Sequence, residues 1–103
     1  MKKGTIVAVG AVAVVIAMSA HGRKQTAELP DLRGEVLETA QDSARQAGFT
    51  TITSHDASGE HRMQFLGQNW KVCAQTPSAG THQATTRVDF AVVKTSEDCP
   101  AGG

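Results

Sequence analysis

Four side chains in one short stretch have the composition of a chemical site: His55, Asp56, Glu60 and His61 offer two imidazoles and two carboxylates. Imidazole nitrogen and carboxylate oxygen both ligate zinc and other divalent ions, and a loop could draw such groups together. Their spacing matches no established metal site, so the stretch reads as a solvated polar loop and no metal is expected. Just before it, Ser54-His55-Asp56 has the residue types of a hydrolytic triad. Successive residues of a strand point to opposite faces, which prevents these three from forming a serine-histidine-aspartate relay. No other nucleophile, base and oxyanion donor can be nominated, and the expectation is that the chain is not an enzyme. The glycines are spread singly through turns and form no phosphate-cradling loop, so no cofactor is expected. His21 and His82 stand alone.

Cys73 and Cys99 are the only cysteines. In an exported chain they most simply form one disulfide, whose loop closure contributes about 3 kcal/mol in the chain-entropy picture. Alternation along Asn69–Gln75 puts Cys73 on the sheet face opposite Trp70, Val72 and Ala74, where a tail from Thr95 to Pro100 could cross and be tethered. A reactive thiol or a thiol metal site is the sharper reading, but the pair lacks the C-x-x-C spacing.

Export itself is read from the N-terminus. Two lysines and Gly4 precede an uncharged apolar run, Thr5 to Ala20, with small residues at its end. This resembles a signal peptide or a signal anchor, and its length favours cleavage over a permanent span. Secretion or an extracytoplasmic location follows, with membrane attachment only through residues 1–20 if they are retained. Residues 21–29 are polar, without periodicity, and read as a linker. The chain has 103 residues and a formal net charge of zero, with no basic cluster away from the N-terminal run. A phosphate backbone therefore finds no electrostatic footprint, and Phe49, Phe65, Trp70 and Phe90 are too few for a stacking surface besides a core. Nucleic acid is not an expected partner.

The elements that must position these residues are legible from periodicity. Val36, Leu37, Ala40, Ala44 and Ala47 recur at three- and four-residue steps, predicting an amphipathic helix over Glu35–Ala47 that Gly48 ends and Phe49 folds back upon. Three strands are expected: Phe49–His55, rich in β-branched residues; Asn69–Gln75; and Thr86–Lys94, with Val88, Phe90 and Val92 on one face. Thr76–Thr81 reads as a turn around Pro77 and Gly80. The fold class is α+β, one helix on a small three-stranded sheet. Between the first two strands, Asp56–Gln68 is a long loop carrying Met63, Phe65 and Leu66, which either plug the core or form a contact patch; Arg62, Met63, Phe65, Leu66 and Gln68 are the candidate binding residues.

From about Leu29 to Lys94 the chain resembles a PASTA domain, the small extracytoplasmic module of bacterial penicillin-binding proteins and serine/threonine kinases. Pro30-Asp31-Leu32-x-Gly34 is similar to the family's opening motif, Ala40 and Ala47-Gly48-Phe49 to its helix, and Val72-x-x-Gln75-x-Pro77-x-x-Gly80 to its strand and turn. The family usually has leucine where this helix has Ser43 and Ala44, and a glycine where this chain has Gln83-Ala84-Thr85. The resemblance implies a PASTA-like domain at residues 30–94, in a single stand-alone copy, followed by a tethered tail at 95–103. It also implies a non-catalytic binding module for peptidoglycan fragments of the cell wall or an envelope protein. The alternative is a secreted, disulfide-stapled inhibitor or protein-interaction scaffold acting through the 56–68 loop.

Overall fold

A computed structural model describes residues 25–101; the signal segment expected at 1–20 and the start of the linker lie outside them. The described chain is a small α+β fold of five strands and one α-helix. Its elements run β1 (Thr26–Leu29), α1 (Leu37–Ala47), β2 (Ile52–Asp56), β3 (Trp70–Thr76), β4 (Gly80–Gln83) and β5 (Val88–Lys94), with a single 3-10 turn at Gly67–Asn69. The expected three-stranded sheet has the order β2-β5-β3, with β2 parallel and β3 antiparallel to β5. A second, two-stranded sheet joins β1 antiparallel to β4.

That second sheet corrects the reading of residues 21–29 as linker throughout. Thr26–Leu29 is a strand, and Leu29 at its end is fully buried opposite Gly80. The segment shows no alternation strong enough to announce itself; its partner β4 is what makes it a strand. The turn read at Thr76–Thr81 is likewise shorter, since Gly80 and Thr81 belong to β4.

Helix α1 begins at Leu37, two residues later than its periodicity suggests. Residues just before it are used otherwise: Gly34 N–H donates to Val72 O and Val72 N–H to Glu35 O, each at 2.8 Å, and Val36 bridges to Lys71. Backbone bonds to the rim of β3 thus displace a further half-turn of helix. At the other end Gly48 has φ +117°, Phe49 N–H reaches Ala44 O and Gly48 N–H reaches Arg45 O, the doubled closure of a Schellman cap. Leu37, Ala40 and Ala44 face the sheet and meet Phe49, Val72, Val88, Phe90 and Val92 in one core with Leu29, Leu32 and Trp70.

Alternation in β3 holds only as far as Val72. A bulge at Cys73 shifts the register, so that Val72 pairs with Val92 but Ala74 pairs with Ala91 and Gln75 with Phe90. One inserted residue reverses every side chain beyond it. Ala74, expected on the core face, therefore turns outward, and Gln75 turns in. There its side-chain oxygen accepts the Leu32 N–H at 2.7 Å and its nitrogen donates to Pro30 O at 3.1 Å. The disulfide between Cys73 and Cys99 is present as expected and ties the tail to this bulge.

Candidate functional site

The loop from Asp56 to Gln68 is ordered by one carboxylate. Asp56 ends β2 opposite Val92, on the core side, and is the only buried charged residue among those described, at 7% exposure. A buried carboxylate must be satisfied by donors or a counter-charge. Ser58 supplies its N–H at 2.9 Å and its hydroxyl at 2.8 Å, both to Oδ1. Arg62 returns six residues later with its backbone N–H and Nε on Oδ2, at 3.1 and 2.7 Å, and Nη2 on Oδ1. The far side of the same guanidinium donates to both oxygens of Glu97 at 3.0 Å, while Glu97 Oε1 also accepts the Lys94 N–H. Trp70 closes the arrangement, its ring 5.1 Å from the guanidinium carbon.

These contacts set the electrostatics. Hydrogen bonds from Arg62 hold the Asp56 carboxyl far below the usual carboxylate range, against the opposing effect of its desolvation. Glu97 is lowered as well, chiefly by Arg62, and Arg62 is raised by its bonds to Asp56 and Glu97. The polar loop read as solvated is thus partly buried at its centre. Among the described residues no group of three or more His, Cys, Asp or Glu side chains is gathered around a common point. Asp56 is committed to Arg62, and His55 points its Nδ1 at Asp89, 2.7 Å away.

Beyond this knot the loop presents its apolar residues to solvent. Met63 is 66% exposed, Phe65 82% and Leu66 56%, so the trio forms a surface patch and does not plug the core. Gln64, between them, turns back: its oxygen accepts the Ser54 hydroxyl and its nitrogen donates to Arg62 O. The loop then packs at the helix start, where Gly67 comes so near that a Cβ there would lie 3.3 Å from the Glu38 nitrogen. Met63, Phe65 and Leu66 flank a shallow cleft of about 380 Å³ whose other walls are Asn69, Trp70, Lys94, Thr95 and Ser96.

Of the five candidate binding residues, the structure brings Met63, Phe65 and Leu66 together. Gln68 is exposed on the 3-10 turn outside the cleft walls. Arg62 faces inward, its Nε and both Nη atoms engaged, and positions the loop. Sequence reasoning missed Glu97 and the second role of Trp70. Asp56-x-Ser58 carries the signature of an Asx turn, which signals the start of the knot; nothing in the sequence pairs Arg62 with a glutamate 35 positions away. Among the described residues no helix is long and apolar enough to cross a membrane. Compared with protein-family models, with curated proteins and with solved structures, the chain has no significant match.

Proposed function

We propose that this chain is an exported, non-catalytic, PASTA-like binding module that engages a protein of the cell envelope through Met63, Phe65 and Leu66. The observation that carries the reading is the contrast within one loop: three large apolar side chains stand out in solvent beside an ionic knot whose central carboxylate, Asp56, is buried and bonded to Arg62 and Ser58. Exposed apolar groups cost solubility, and holding them rigid lowers the entropy lost on binding. Peptidoglycan fragments are the other ligand class the PASTA-like reading carries; the apolar character of the patch favours a protein surface over a glycan. The disulfide is compatible with an extracytoplasmic location. Supporting the PASTA-like reading, Gln75 fastens Pro30 and Leu32 of the opening motif beside Pro77 of the turn motif. The non-catalytic reading is supported by Asp56 and Arg62, whose polar atoms are spent on each other, on Ser58 and on Glu97.

Replacing Phe65 by Asp tests this directly, because its side chain supports nothing inside the fold. Wild-type and Phe65→Asp chains would be used to capture partners from the host's own envelope, and each would be passed over purified peptidoglycan. A protein retained by the wild type and lost with the variant, at unchanged thermal stability, is the expected result. Equal capture by both would remove the patch from the function, and retention of both on peptidoglycan would move the function to the cell wall.

A further inference from the structure

We propose that β2 pairs edge to edge with β2 of a second copy of this chain, antiparallel about a two-fold axis at Thr53, joining two three-stranded sheets into one of six strands. The inference does not depend on what the Met63–Leu66 patch binds.

The three-stranded sheet has two edges, and they are treated differently. The outer rim of β3 is covered by Gly34–Val36 through two backbone hydrogen bonds and a bridge. No strand among the described residues pairs with the outer rim of β2. The direction of its backbone follows from its bonds to β5. Val88 N–H donates to Thr51 O and Ala57 N–H to Val92 O, with Ile52, Ser54 and Asp56 standing opposite Val88, Phe90 and Val92. In a parallel ladder this commits the amides of Thr51, Thr53, His55 and Ala57 to β5 and turns those of Ile52, Ser54 and Asp56 outward, where Asp56 O already accepts the Gly59 N–H.

Edge strands of solitary domains are usually guarded by a lysine, a proline, a bulge or an inward-pointing charge. β2 carries one such guard, the inward-pointing Asp56 at its C-terminal end, whose charge is taken up by Arg62; Thr50-Thr51-Ile52-Thr53-Ser54, the stretch that holds the axis, has none and is rich in residues that favour extended backbone. The strip is also self-complementary. A two-fold axis at Thr53 places Ile52 opposite Ser54 of the second copy and Ser54 opposite its Ile52, which are the two residues with free outward N–H and C=O groups. The outward N–H and C=O of Ile52 and of Ser54 then all gain partners. Thr53 faces its own counterpart, His55 faces Thr51 and Asp56 faces Thr50, so no like charges meet. On the core side of the strand, the half-exposed Ile52 of the second copy comes beside Ser54, over which a cleft of about 520 Å³ opens, lined in part by Met63 and Gln64. A strand of five residues makes a small interface, so the pairing is weak in dilute solution and best read by trapping.

The register makes a sharp test. Residues directly opposite in a non-hydrogen-bonded antiparallel pair have Cα atoms about 4.5 Å apart, within disulfide reach, whereas positions three residues from the axis are separated from their counterparts by roughly 20 Å. Full-length Thr53→Cys and Thr50→Cys chains would be expressed with their own N-terminal segment and run on non-reducing gels. Covalent dimer from Thr53→Cys and none from Thr50→Cys is the expected outcome; dimer from both, from Thr50→Cys alone or from neither overturns the proposal. As a measurement that needs no added thiol, two differently tagged copies are co-expressed and one is pulled down. Ser54→Pro, which deletes an outward N–H that β5 does not use, should lower recovery of the other copy at least several-fold, and unchanged recovery would rule the edge out.

Discussion

Arg62 holds together three segments that sequence separates, and its guanidinium does so as a fork, with Asp56 on one side and Glu97 on the other. Lysine keeps the charge but cannot span two carboxylates in one plane. Arg62→Lys should therefore lower the melting temperature by something on the order of 5–10 °C, far more than an ordinary surface change, and differential scanning calorimetry reads it. The same pair makes stability depend on pH with a defined sign. Asp56 and Glu97 titrate lower in the folded chain than in the unfolded one, so their contribution is complete above the unfolded carboxyl values near about 4 and is lost as pH falls below them. The melting temperature should be flat between pH 7 and roughly 5 and should fall steeply below about 4. Asp31 makes a useful comparison, since Arg33 lowers its carboxyl to about 2 but both partners are exposed. Solvent screening leaves such a pair little weight, so Asp31→Asn should keep the acid limb of the curve and Asp56→Asn should flatten it.

At the scale of elements, the Gly48 cap is the most local device in the fold and the most direct to test. Its φ of +117° lies where a side chain is strained, and an added Cβ would also stand 3.4 Å from the Ala27 Cβ on β1. Gly48→Ala should cost about 1–2 kcal/mol, measured by urea unfolding with an unchanged m-value. This cap, the slim alanine stripe above it and the alternating strands β3 and β5 were all legible, because each is written in neighbouring residues. What was not legible depends on partners distant in the chain. Thr26–Leu29 is a strand only because β4 lies beside it, and the bulge that sends Gln75 inward shows only in the register against β5. The Asp56 knot divides the same way: its Asx turn is local, and its Glu97 clasp is 35 residues off. Exposure of Met63, Phe65 and Leu66 was one of two readings open to the sequence, and the core is closed by Phe49, Trp70, Val88 and Phe90 without them.

Across the whole molecule the disulfide and the knot form one structure. Cys99 lies two residues beyond Glu97, and its bond to Cys73 fixes the tail against β3. Glu97 is thereby kept within reach of Arg62, Arg62 holds Asp56, and the loop bearing the exposed patch is fastened between them. Closing a loop with a sequence separation of 26 contributes about 3 kcal/mol in the chain-entropy picture, a large share of the stability available to a domain this small. Cys99→Ser paired with Cys73→Ser should therefore lower global stability by roughly that amount and, separately, loosen the loop. Glu97→Gln isolates the second effect, since it weakens the clasp on Arg62 while leaving the staple. Hydrogen exchange followed residue by residue tells the two apart: amides from Ser58 to Leu66 should exchange faster in both variants, whereas those of α1 should do so only when the cysteines are lost. Faster exchange confined to the tail in the cysteine variant would mean that the staple stabilises the chain without holding the patch in place, and the coupling from Cys99 through Glu97 to the loop would fall.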